Sequence, residues 1–468
     1  MKTDMVAKII PVVLIVIGGL LLYSLFVEDT SLNMTERLPG NDGTPDKAAL
    51  SDTAEEFKSW FSKSDGVPSD LPGSWPRFRG ANFDAISTEN IKLTRTFPDN
   101  GPKVLWSLDV GEGYAGAAIL AGRVYILDYN HEKSADSLRC LSLDDGREIW
   151  RYEYTVKVKR WHGMSRTVPA VTDKYIVTLG PRCHVTCLNP ETGDFKWMIN
   201  LVKDYKTTVP DWHSGQCPII DNDKAIIAPG GDVLMMAVDC ETGNVLWNTP
   251  NQNKWVMTHS SVIPMEFNGK KMYVYCGGNN SKGGVVGVSA DDGSILWETT
   301  EWKLRTNVPS PLPVSDGRIF LSAGYNEGSM MIQLTEENDG IKVKPLFRLE
   351  QKVFGAEQQT PIFYQGYIYG VRLDSQLVCL DLNGNVVWSS TSANKFGKGP
   401  YMIADGLIYV MDDSGVLTIA EATSAAFKPL ARAKVLEGIE SWGPMALASG
   451  RLIVRDLKRM ICLDVTER

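Results

Sequence analysis

One acidic turn, written five times, constrains this chain more than any other feature. The copies read LSLDDGREIW (141–150), LNPETGDFKW (188–197), AVDCETGNVLW (237–247), SADDGSILW (289–297) and, one residue shorter, LDLNGNVVW (380–388). Each is the end of one strand, a tight turn closing on Gly, and a second strand ending in Trp. Asp or Asn with Gly is what a short hairpin demands, because its turn needs positive φ. The Trp is then placed to cap the outer strand and pack between neighbouring units.

Spacing turns the motif into an architecture. The repeat tryptophans are Trp106, Trp150, Trp197, Trp247, Trp297 and Trp388. Two degenerate copies, KVKPLFRLE and FKPLARAKV, put Phe347 and Ala431 in the Trp place. The successive steps are 44, 47, 50, 50, 50, 41 and 43 residues. A period of ~40–50 residues carrying about four short strands predicts propeller blades. Each unit opens with a Pro-containing strand such as TVPAV, CPIID or TPIFY, followed by a β-branched and aromatic strand such as GRVYILD or GLIYVMD. The chain ends on GRLIVRDLKRMICLDVTER, two strands of a unit without its Trp strand, whereas GPKVLWSL (101–108) is a Trp strand without the rest. Pairing the two completes a blade and leaves no open sheet edge. The expected fold is therefore all-β: an eight-bladed propeller over residues 73–468, closed by its N- and C-terminal strands.

The N-terminus has another character. Residues 9–27, IIPVVLIVIGGLLLYSLFV, carry no charge. As a helix they span ~28 Å, close to a ~30 Å hydrocarbon core. Lys2 and Lys8 precede the segment; Glu28 and Asp29 follow it. The positive flank stays in the cytoplasm, so 1–8 is expected as a cytoplasmic tip, 9–27 as an uncleaved transmembrane signal anchor, and the bulk of the chain as extracytoplasmic. Residues 28–72 are polar and read as a flexible linker with one short helix near 53–63. That arrangement expects a single-pass protein of a bacterial cytoplasmic membrane, its propeller on the periplasmic side.

Charge and cysteine usage exclude some functions. The net charge is −8, which argues against wrapping nucleic acid. Of eight cysteines, Cys140, Cys187, Cys379 and Cys462 recur at one place of the repeat. A repeated place needs the same local environment, here a small buried side chain, so inert core thiols are expected rather than disulfides. Cys183 and Cys187 flank His184, but four residues along a strand set them ~13 Å apart, too far to share an ion. No zinc signature, phosphate-binding Gly loop or nucleophile elbow is present.

Three of the five histidines share one register: Trp161-His162, Trp212-His213 and Thr258-His259. Each precedes the Pro of its inner strand by five to seven residues. Inner strands line a propeller's channel, so these side chains could converge at one mouth. The matching stretches of other blades supply Asn307, Glu357, Lys398 and Trp442. One reading is a ligand pocket with imidazole donors and tryptophan walls. The plainer reading is that each polar group ties down a loop at its blade entry. No catalytic residue and no metal site is assigned.

The turn-and-Trp repeat resembles that of pyrroloquinoline-quinone (PQQ) dehydrogenase-type propellers, to which BamB-like assembly factors are similar. SWPRFRG (74–80) followed by AN, together with AGYNEGS (323–329), resembles the W-P-x-F/W-R-G-x-N group of envelope propellers of this type. The resemblance covers about residues 74–468 and implies the fold; an activity does not follow from a fold. PQQ enzymes of this kind carry adjacent cysteines over the quinone and a Glu/Asn/Asp set around Ca²⁺. This sequence has no Cys-Cys pair, and no such set can be matched. PQQ with calcium is thus disfavoured, and no cofactor is expected. The favoured function is a non-catalytic, BamB-like scaffold that binds envelope proteins. The alternatives are an oxidoreductase with a channel pocket and a small-ligand sensor. In the entry motif, Trp75 and Phe78 are expected to pack under the propeller, with Arg77 and Arg79 paired to acidic turns.

Overall fold

The computed structural model describes residues 58–467, apart from 161, 280, 339 and 439. The expected tip, anchor and most of the linker lie outside the described residues. Among the described residues no helix is long and apolar enough to cross a membrane.

Eight sheets follow one another, each with four antiparallel strands. Seven are built from consecutive chain, from the sheet with inner strand Ala118–Leu120 and outer strand Glu148–Thr155 to the one running from Tyr401–Ala404 to Pro429–Lys434. The eighth closes the ring as expected. Lys103–Asp109 pairs with Arg459–Asp464, which continues into Arg451–Arg455 and the inner strand Ala446–Ala448. Blades are numbered here from the one containing Trp150 as blade 1 to this closing one as blade 8.

The pairing register explains the recurring cysteines. Cys140 faces Trp150, Cys187 faces Trp197, Cys379 faces Trp388 and Cys462 faces Trp106 across their strand pairs. In the remaining blades the place is held by Ala237, Gly287, Met331 and Ile419. At Gly287 a Cβ would lie 2.1 Å from Trp297 Nε1, so the place opposite an indole must be small. All eight cysteines are buried and free.

The turn glycine has two duties. At Gly146, Gly193, Gly243 and Gly293 φ lies between 71° and 76°. A Cβ at these positions would also stand within 3 Å of the preceding blade's indole: Trp106, Trp150, Trp197 and Trp247. The ring thus sits on the next blade's turn. Trp106, Trp150 and Trp197 add a hydrogen bond from Nε1 to the carbonyls of Leu143, Pro190 and Cys240, at 3.0, 3.3 and 2.8 Å. Four successive blade junctions are thus stitched at the rim by one tryptophan each.

Two expectations near the N-terminus need correction. Residues 59–63, assigned to a linker with a short helix, form the strand Ser59–Lys63. It pairs antiparallel with Glu148–Thr155 and makes blade 1 five-stranded. Phe61 lies 6.5 Å from the Trp150 ring, which gives the segment apolar cover it would lack as an isolated helix turn. In the entry motif, Trp75 is buried as expected, with reciprocal backbone bonds to Ile119 at 2.8 Å. Neither arginine, however, forms an ion pair with an acidic turn, although Asp221 lies near enough to Arg77 to act on its charge. Arg77 Nη1 donates to the Ile220 carbonyl at 3.3 Å. Arg79 donates to the carbonyls of Phe83, Asp84, Thr360 and Pro361 at 2.7–3.1 Å. Backbone carbonyls of inner strands have no partner toward the channel, and a buried guanidinium satisfies several at once. The same segment continues as Ile86–Ser87, parallel to Tyr401–Ala404, and Glu89 accepts from the backbone N–H of Ser449 at 2.7 Å. Residues 75–89 therefore touch inner strands of blades 1, 3, 6 and 7 and the strand end of blade 8. They cross the channel axis and stopper one end.

Candidate functional site at the open mouth

The stopper enters where inner strands turn back into second strands. The opposite mouth is built by the loops that lead into the inner strands, the register of the three histidines. Contacts run round this mouth from blade to blade. His213 Nε2 donates to the Lys159 carbonyl at 3.1 Å; a carbonyl only accepts, so this ring carries its hydrogen on Nε2. The His259 ring packs over Gly215, where a Cβ would lie 2.7 Å from Nδ1. The His259 N–H donates to the Asn307 carbonyl at 3.1 Å. Glu357 pairs with Lys398 at 2.8 Å, and Lys398 Nζ lies 5.2 Å above the Trp442 ring. Trp442 stacks on Tyr114 at 5.3 Å, and Arg166 lies 4.9 Å above the other ring of that stack. Cation, indole, phenol and guanidinium thus form one column across blades 7, 8, 1 and 2.

Of the residues expected here, the structure brings together His213 with Trp212 and His259, and Glu357 with Lys398 and Trp442. The Trp212 and His259 rings lie 6.1 Å apart. Asn307 is buried, and its Nδ2 has no partner. His162 is exposed and serves the site through its carbonyl, which accepts from Arg166. Trp161 lies outside the described residues. A cleft of about 130 Å³ opens between blades 6 and 7, lined by Glu357, Lys398, Arg372, Asp413 and Tyr401.

Backbone and charge mark this mouth as unusual. His162, Trp212, His213, Tyr325 and Glu440 all hold positive φ, from 47° to 74°. Bulky residues adopt it only where surroundings over-determine them, and such positions cluster at functional sites. Burial, with the Arg166 charge next, pulls His213 down to about 4 and His259 to about 3. Both rings are neutral at pH 7. Burial, then Glu357, lifts Tyr325 to about 12.

Sequence reasoning missed Tyr114, Arg166, Tyr325, Glu440 and Asp413. A signal for Arg166 existed. WHGMSRTVP, WHSGQCP and THSSVIP are one stretch in three blades, and only the first has an arginine between the His and the Pro.

The family model described as outer membrane protein assembly factor BamB matches residues 98–210 and 134–383. The chain belongs to that family. No curated protein matches it. Solved BamB from Moraxella catarrhalis is 14% identical, with 77% of this chain and 99% of that one covered and a TM-score of 0.55. A europium-containing methanol dehydrogenase is 13% identical, covering 82% and 89%, at 0.58. The quinohemoprotein alcohol dehydrogenase ADHIIG from Pseudomonas putida HK5 is 14% identical, covering 85% and 81%, at 0.57. At these identities the likeness concerns the fold.

The residues of this BamB-family mouth do not fit a quinone held with calcium. Ca²⁺ takes 6–8 oxygen ligands. Here Glu357 is engaged by Lys398 and Glu440 by the Tyr114 hydroxyl. Asp413 accepts from the Trp442 indole at 2.7 Å and the Lys398 N–H at 2.8 Å. Among the described residues no three His, Cys, Asp or Glu side chains are grouped to hold a metal. The recurring cysteines face tryptophans inside the blades, away from the mouth.

Proposed function

We propose that this BamB-family chain is a non-catalytic, protein-binding scaffold of the bacterial envelope. Residues 9–27 would hold it in the cytoplasmic membrane, with the propeller outside. The observation that carries this reading is the family match to an outer membrane protein assembly factor across most of the propeller. The rim chemistry supports it. Val104, Val245, Leu246, Ile295, Val386 and Val387 are exposed on outer strands, one or two residues before the Trp place of their blades. Aliphatic surface that recurs beside polar turns suits protein contact.

The test is affinity recovery from detergent-solubilised membranes, followed by mass spectrometry. The expected result is a reproducible set of envelope proteins whose recovery falls when Val245 and Leu246 are both changed to Lys. A second measurement addresses the oxidoreductase alternative: protein incubated with PQQ and Ca²⁺ is expected to show no alcohol-dependent dye reduction. Dye reduction that disappears when Ca²⁺ is removed would overturn the scaffold reading.

A further inference from the structure

Four blade junctions share one arrangement at the rim, and one of them differs in its sulfur. Cys462, Cys140, Cys187 and Cys379 stand opposite Trp106, Trp150, Trp197 and Trp388. Those four indoles donate from Nε1 to carbonyls of the next blade, at Leu143, Pro190, Cys240 and Thr423. Each recurring cysteine is thereby carried up to one residue of the next blade. Of these four junctions, only that of blades 2 and 3 has a second cysteine there.

The neighbours on the other side sharpen the difference. Cys140 and Cys379 face Tyr125 and Tyr369 on the adjoining strand, and each thiol hydrogen-bonds with that tyrosine. Cys187 faces Val177, whose side chain offers nothing polar. Its thiol turns to the next blade instead and donates to the Cys240 carbonyl at 3.3 Å. Both cysteines are fully buried, in one apolar cluster with Trp197. The Cys240 side chain, hydrogen-bonded to Cys187, and burial together push the Cys187 thiol far above its usual range. Cys183, the nearest cysteine in the chain, bonds its sulfur to that of Met257 at 3.8 Å.

We propose that Cys187 and Cys240 are a disulfide-forming pair that ties blade 2 to blade 3 when the chain meets a disulfide oxidant. The two thiols give up two protons and two electrons; one S–S bond forms, and the oxidant's own disulfide opens to two thiols. A thiolate starts such an exchange, and Cys187 is not one in the packed rim at pH 7. The bond is therefore made while blades 2 and 3 are apart, and packing then seals it from reductants. It joins residues 53 apart in the chain, and a cross-link of that span restricts the unfolded state. Such bonds persist in oxidising compartments, so its presence in the cell rests on the extracytoplasmic reading above; the chemistry of the pair does not.

The test holds the full chain in detergent with oxidised glutathione, in urea just below the unfolding midpoint so that blades separate transiently. Free thiols are then blocked with N-ethylmaleimide in guanidinium, and the protein is digested without reductant. All but two of the eight cysteines are expected to be blocked, with one linked peptide joining Cys187 to Cys240. The melting temperature is expected to rise by about 4 °C and to fall back with dithiothreitol. Cys187→Ala is expected to lose both the link and the shift; alanine already holds this place in blade 3, as Ala237. Eight blocked cysteines, glutathione adducts without a link, a link between other cysteines, or a linked protein that melts no higher would each overturn the pair. Should Cys187→Ala fail to fold, peptide mapping of the unsubstituted protein decides alone. The reaction is run on purified protein, so its outcome is separate from that of the topology.

Discussion

His213 shows how one side chain couples the mouth to solution conditions. It is buried on a strained backbone, φ 74°, and its folded-state pKa of about 4 lies below the ordinary value of 6.5. The unfolded chain therefore binds the proton more readily between those values. Its contribution to stability is complete above pH 6.5 and is lost as the pH falls through 4. The size is about 3 kcal/mol from a gap of this width. His213→Gln keeps a donor for the Lys159 carbonyl and removes the titration. The variant is expected to lose less stability than the unsubstituted protein between pH 6.5 and 4, as read by denaturant midpoints. Identical pH profiles would show that the ring is not held neutral.

At the scale of strands, two elements toward the ends of the described chain differ in what they complete. Ser59–Lys63 adds a fifth strand outside a blade that already has four. Arg451–Arg455 and Arg459–Asp464 are half of blade 8. Deleting 58–64 from the full chain is expected to lower the melting temperature by a few degrees and keep one cooperative transition. Deleting 450–468 is expected to abolish cooperative unfolding in calorimetry, since two sheet edges open and Trp106 loses its partner strand. Similar losses from the two deletions would contradict the ring-closure account. The closing pair was legible because both fragments carried half of a recognisable pattern. Ser59–Lys63 was not, since SWFSK has no turn signal and gains its order from Trp150 of a distant segment. Arg79 was misread for a related reason. Charge pairing is the obvious use of an arginine, and nothing local announces that inner-strand carbonyls face inward unsatisfied. At the mouth, a shared register located His213, His259, Asn307, Glu357, Lys398 and Trp442. Tyr114 lies in GEGYAG, which has no His or Trp to mark the register, and Glu440 stands two residues before Trp442, outside the matched place.

For the whole molecule, we propose that the N-terminal flank places the propeller outside the cytoplasm. Lys2 and Lys8 precede the uncharged segment 9–27, while Glu28 and Asp29 follow it. A C-terminal alkaline phosphatase fusion is expected to be active, and a cytoplasmic reporter at the same place inactive; the reverse pattern would invert the topology. The ring itself has a temporal consequence. Its first Trp strand ends at Asp109, and the strand it must pair with begins at Arg459. At ~5–20 residues per second, synthesis of the intervening 350 residues (459 − 109) takes ~20–70 s. Throughout that interval the nascent chain has Trp106 and one raw strand edge waiting for a mate that has not yet been made. The order of assembly alone leaves that edge open to pairing with another chain until the last blade has been made.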